Sequence, residues 1–170
     1  MFIYSIRAST LRVVGFAFLA LVLVFGVVLS GQGGVVSAMS SATEIDYSGV
    51  KTKENRLEFI SRFGIEVDPD SEEEEAFRMP KDFDRVILGY NQLQKKQGLD
   101  LSKYQNKKVT RYSYKVTNYK GEGEVYATLF IHRGKVVACD IASSDPEGFV
   151  VPLTRVNKSD LKQTKNITKQ

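Results

Sequence analysis

The only histidine and the only cysteine of the chain fall within one short stretch, "YATLFIHRGKVVACDIASSD", as His132 and Cys139, with Asp140 beside the cysteine and Ser143 and Ser144 just beyond. Those residue types could serve nucleophilic hydrolysis, which needs nucleophile, base and orienting acid within hydrogen-bond reach of one another. The spacing argues against it. The stretch reads as a β-hairpin, Val125–Ile131 and Lys135–Ser143 joined at "HRG", with His132 in the loop and Asp140 five residues into the returning strand. At about 3.3 Å per residue the two lie some 15 Å apart, and a solvent-exposed turn histidine is the expectation. Cys139 is expected to be a small buried hydrophobe, with an intermolecular disulfide as the minor alternative.

Other chemistries find even less support. One Cys and one His cannot form a zinc pattern. The run "DPDSEEEE" lacks the central glycine and alternating ligands of a calcium loop and reads as a solvated charged segment. "KGEGE" has no Walker-type Lys-Ser/Thr and no following helix, so it is no phosphate cradle. The reading therefore assigns no catalytic residue, no metal and no cofactor. "NKS" at Asn157 and "NIT" at Asn166 match the glycosylation sequon, which matters only in a host that glycosylates exported proteins.

The elements that would position these residues follow from periodicity. Thr52 is the expected N-cap of a first helix whose Leu57, Phe59, Ile60 and Phe63 share a face, with Gly64 as its stop. "IEVD" reads as a short strand, Pro69 and Asp70 as a turn, and Glu75 to Met79 as a second strand. A second helix starts at Asp82, with Phe83, Val86, Ile87, Tyr90 and Leu93 at helical spacing, and closes at Gly98. In "VTRYSYKVT", Tyr112, Tyr114 and Val116 alternate with Arg111, Ser113, Lys115 and Thr117, as in a half-buried strand.

In the hairpin, a three-residue loop pairs Ile131 with Lys135, Leu129 with Val137, Ala127 with Cys139 and Val125 with Ile141. That register gathers Val125, Ala127, Leu129, Ile131, Val137, Cys139 and Ile141 on one face. The other face carries Tyr126 beside Asp140, Thr128 beside Ala138 and Phe130 beside Val136. "EGFVVPL" could add an edge strand. The order is α-β-β-α-β-β-β, an α+β domain in two layers with the helices on an antiparallel sheet.

Ahead of this domain, residues 13–43 hold no charge, and Val13 to Leu29 is an unbroken apolar run of 17 residues. That is the low end of a bilayer span and longer than a signal-peptide core of roughly 7–15 residues. Arg7 and Arg12 precede the run, which keeps the N-terminus inside. An uncleaved anchor is favoured over a cleaved signal. The expected organisation is a cytoplasmic 1–12, a transmembrane anchor at 13–30, a Gly/Ser-rich tether at 31–51, an extracytoplasmic domain at 52–153 and a basic disordered tail at 154–170.

The pI near 9.1 belongs to the chain's ends. Residues 44–153 hold 17 basic and 19 acidic side chains, so no nucleic-acid footprint is expected.

The segments "RLEFISRFGIEVD", "MPKDFDRVILGYNQLQKKQGLDLSKYQNKKVTRYSYKVTNY" and "GKVVACDIASSDPEGFV" together resemble the domain of unknown function 4830 family over about residues 54–150. The helix "YNQLQKKQGLDL" with the following "RYSYKV" is the most specific piece. The chain has Ile65 where family members tend to have Trp. The resemblance implies a membrane-anchored protein in a Gram-positive envelope and brings no activity, cofactor or functional residue.

The function expected from the residues is non-enzymatic binding of an envelope protein, peptide or polymer, through a sheet face or an exposed strand edge. Tyr119, Tyr126, Phe130 and Asp140 are the expected contacts. The alternatives are an envelope hydrolase or transferase using Asp140 with an acid from 72–75, and a regulatory partner of another membrane protein.

Overall fold

The structure is a computed structural model and describes residues 45–145 and 147–162. The expected anchor, the cytoplasmic segment and most of the tether lie outside the described residues. Among the described residues no helix is long and apolar enough to cross a membrane.

Two helices, α1 (Lys53–Ser61) and α2 (Arg85–Lys95), flank strands β1 (Glu73–Arg78), β2 (Lys108–Lys115), β3 (Val125–His132), β4 (Lys135–Ser143) and β5 (Val150–Pro152). The strands form one antiparallel sheet in the order β1-β2-β3-β4-β5. The α+β class stands. "IEVD" makes only a single bridge, Val67 to Val116, because the turn at Pro69–Ser71 leads the chain into β1 before a strand can extend.

Thr52 caps α1 as its position suggests. Its Oγ1 accepts from the Asn55 N–H at 3.3 Å, and the Asn55 side chain accepts from the Thr52 N–H at 3.3 Å. This reciprocal box satisfies two otherwise open N–H groups. Thr52→Ala is expected to cost about 1 kcal/mol, read as a shift in urea midpoint at unchanged slope. Gly64, at φ 77°, turns the chain out of the helix.

The buried stripe of α1 is Arg56, Phe59 and Ile60, with Leu57 and Phe63 partly buried against the same core, so the expected apolar face forms and a charged residue joins it. α1 packs on one sheet face with Tyr114, Val125, Ala127, Leu129, Ile131, Val136, Cys139 and Ile141. α2 packs on the other through Tyr90 and Leu93, against Phe77, Val109, Phe130, Val137 and Ala138. The sheet is thus sandwiched between the helices, and the expected two layers become three. The face opposite the first apolar stripe was apolar enough to need a cover of its own.

The hairpin corrects the expected loop. It is a two-residue turn at Arg133 and Gly134, with φ 50° and 76°, the pattern of a type I′ connection. His132 pairs with Lys135 and Ile131 with Val136; the register then shifts, so that Phe130 faces Ala138, Leu129 faces Cys139, Thr128 faces Asp140 and Ala127 faces Ile141. The bulge adds one residue to β4 and restores the expected division between the two faces, while each β3 residue beyond it pairs two positions further along β4 than expected. The expected stripe is reproduced with Val136 in place of Val137; Val137 turns to the α2 side.

α2 also departs from expectation. Its N-cap is Asp84, whose carboxylate accepts from the N–H of Val86 and Ile87 at 3.0 and 2.8 Å. Its buried residues are Tyr90, Asn91 and Gln94.

The domain is longer than 52–153. Tyr47 donates its hydroxyl to the Gln97 carbonyl at 2.6 Å, and Val50 is 3 % exposed. Beyond β5, Leu153 and Leu161 are buried, Leu161 bridges Tyr119, and Lys162 N–H donates to the Asn118 carbonyl at 2.7 Å. Residues 154–162 are therefore part of the fold, not of a disordered tail.

Candidate interaction surface

The four expected contact residues do not form one surface. Tyr119 lies on the α1 side, half-buried against Phe149 at 5.3 Å between ring centres. Tyr126, Phe130 and Asp140 share the α2 side. Phe130 sits between Phe77 and Tyr90, at 6.0 and 5.9 Å, as part of a packed cluster. Tyr126 donates to Glu124 at 2.9 Å; burial first, then that carboxylate, pushes its phenol up to about 12.

Asp140 is buried at 4 % exposure and accepts the Tyr90 hydroxyl. Burial raises its carboxyl from 3.8 to about 7, against the Tyr90 hydrogen bond and the Arg111 charge, which both lower it. Arg111, itself buried, is ion-paired with Glu75 at 3.0 Å. Its charge is already matched, so an ionised Asp140 would be a surplus buried anion.

The acids expected to join Asp140 are spread apart. Glu72 lies with Arg56 and Tyr114 on the α1 side, and Glu75 is committed to Arg111. Glu73 stands opposite Ser113, which stands opposite Thr128, which stands opposite Asp140. Three inter-strand gaps of about 4.8 Å separate Glu73 and Asp140 by about 14 Å. His132 ends β3 and does not lie in the loop. Its Nδ1 is 2.6 Å from the Lys108 carbonyl oxygen, and its ring packs edge-on to Tyr104. Cys139 is buried, and burial pushes its thiol well up.

What distinguishes the surface is the contrast between the sheet's two edges. Along the outer side of β4 every stretch is covered, and only the three residues of β5 end the sheet there. Val136 N–H donates to Tyr47 and Val50 N–H to Gly134. At Cys139, where β5 has not yet begun, Gln94 Oε1 accepts from the backbone N–H at 3.0 Å and Gln97 Nε2 donates to the carbonyl at 2.6 Å. β5 then covers Asp140 to Ala142, and the Phe149 carbonyl takes the Ser143 N–H. This explains the inward Gln94 of α2 and Gln97 just past its end: they stand in for a missing strand. Sequence reasoning had no access to them, because their partners are backbone groups some 45 residues away.

β1 has no such cover. It pairs with β2 alone, and among the described residues no other backbone joins it between Glu73 and Arg78. Glu73, Glu74, Ala76 and Arg78 are exposed, with only Glu75 and Phe77 half-buried. An uncovered six-residue edge is a template for strand addition.

The model of the family described as "Domain of unknown function (DUF4830)" matches residues 59–141. The matched segment is assigned to this family. The match runs from Phe59 in α1 to Ile141 in β4, so the DUF4830 region contains β1 and its open edge, α2 and the two glutamines, and the Tyr90–Asp140 pair. No curated protein and no solved structure matches the chain.

Proposed function

We propose that the chain is a membrane-anchored, extracytoplasmic interaction module that binds and does not catalyse. In this reading the apolar segment at 13–30 holds it in the membrane. The DUF4830 region takes an extended segment of an envelope partner along β1. The observation that carries the reading is the unequal treatment of the two sheet edges: one blunted by side chains, a three-residue strand and the 45–51 segment, the other left open for six residues. Natural sheets shorten, cover or charge their edges; β1 is neither short nor covered, and its exposed charges are of both signs.

The test is a photo-crosslinking amino acid at position 76 of the full chain in its native membrane, with position 92, exposed on α2, as the comparison. A crosslinked product at 76 and none at 92 is expected; no product at 76, or equal products at both, overturns the reading. Protease added to intact protoplasts should digest the domain, and protection there would overturn the extracytoplasmic placement.

A further inference from the structure

We propose that the partner at β1 is a second copy of this chain, joined strand to strand about a two-fold axis at Ala76. The inference rests on the reading of β1 as the interaction edge and names its occupant. A two-fold axis that relates neighbouring antiparallel strands runs perpendicular to the sheet and preserves its faces, so one residue must oppose its own copy.

The sequence "EEEAFR" of β1 discriminates between the possible centres. Centred on Glu74, the seam sets Glu74 against Glu74 and Glu73 against Glu75. Centred on Glu75, it sets Glu75 against itself. Like charges directly opposite are destabilising. Centred on Phe77, only residues 76–78 of each strand overlap. Centred on Ala76, residues 74–78 overlap fully. Glu74 then opposes Arg78 twice, Glu75 opposes Phe77, and the small exposed Ala76 meets itself.

The pairing residues are available. Glu74, Ala76 and Arg78 are all exposed and share the α1-side face of the strand. Glu74 interacts with the Tyr112 hydroxyl, and Arg78 donates to the Asn106 carbonyl at 2.8 Å; these exposed contacts leave both charges at the edge. A membrane anchor would hold copies in one plane at high local concentration.

The test uses the full chain in native membranes under mild oxidation. Opposed residues of an antiparallel pair lie about 4.5–5.5 Å apart at Cα, within the disulfide range of about 4.4–6.8 Å, and the native Cys139 is buried. Ala76→Cys should give a disulfide dimer. Glu73→Cys should not, since two copies of position 73 lie six residues apart along the seam, about 20 Å. In the Ala76→Cys background, Glu74→Arg or Arg78→Glu alone should cut the dimer yield several-fold, and both together should restore it.

A monomeric Ala76→Cys, equal crosslinking from Glu73→Cys, or failure of the double swap to restore the dimer overturns the proposal. If Ala76→Cys stays monomeric while the photoprobe at 76 captures another envelope component, a second copy is ruled out and the interaction edge stands. If neither yields a product, both fall.

Discussion

Replacing Arg56 with alanine is expected to cost about 3–5 kcal/mol of folding stability, the range for removing one partner of a buried ion pair. The Arg56 side chain is 7 % exposed and its partner Glu72 is 21 % exposed. Arg56 Nε donates to the Tyr114 hydroxyl at 2.8 Å and its Nη2 to Glu72 at 2.9 Å, while the guanidinium lies 3.7 Å from the centre of the Tyr112 ring. Tyr114 in turn donates to the same Glu72 oxygen. One planar cation thus ties α1, the turn before β1 and the C-terminal half of β2 together.

Burial works against the Arg56 charge, but the hydrogen bonds it donates to Tyr114 and Glu72 outweigh it and raise its pKa. Glu72 is held below its ordinary value because the hydrogen bonds it accepts from Tyr114 and Arg56 outweigh its own burial. Arg56→Lys should recover little, since an ammonium cannot bond two acceptors in a plane and stack at once. Arg56→Met combined with Glu72→Gln should cost less than Arg56→Ala alone, because no unpaired charge is left behind. Urea unfolding of the three variants checks this. A loss below about 1 kcal/mol for Arg56→Ala would place the pair among surface ion pairs and sink the argument.

The same residue shows where sequence reading stops. Helix α1, its Thr52 cap, its Gly64 stop and the aromatic stripe of β2 were legible because each depends on neighbours within a few positions. So were the inward residues of the β3–β4 hairpin, apart from one exchange at the bulge. Arg56 was read past because a charge in an amphipathic helix ordinarily faces water, and only the distant Glu72 and Tyr114 make its burial tolerable. The inward Asn91 and Gln94 of α2 have the same cause. Asn91 bonds Asp100 and the Leu101 N–H, and Gln94 serves Cys139. The segments 45–51 and 154–162 read as tether and tail by composition, yet a few side chains, Tyr47, Val50, Val156 and Leu161, fix them to the core. The candidate interaction edge was named only as a possibility, since which strand ends the sheet is a matter of topology.

Raising the pH is expected to weaken the fold through Asp140. Its carboxyl moves from 3.8 to about 7 on folding, so below the unfolded value both states hold the proton and the full stability is present. Between those two values the folded chain binds one proton more than the unfolded chain, and stability falls with pH at about 1.4 kcal/mol per unit. The loss is complete once pH has risen past about 7 and amounts to about 4 kcal/mol at most.

The groups that face Asp140 make this direction robust. Tyr90 from α2 supplies one hydrogen bond, Arg111 from β2 is shared with Glu75 of β1, Thr128 of β3 is uncharged, and the neighbouring Cys139 thiol is itself pushed up by burial. Asp140→Asn keeps an acceptor for Tyr90 and removes the titration. The variant should match the wild-type chain near pH 4 and exceed its stability near pH 8. Carboxylates held low, such as Glu72 and, at about 2, Asp100, lose their contribution as pH falls, in both chains alike. The difference between the two chains therefore isolates Asp140. Parallel stability profiles from pH 4 to 8 would show that the Asp140 carboxylate is ionised in the folded protein and that Arg111 compensates it fully.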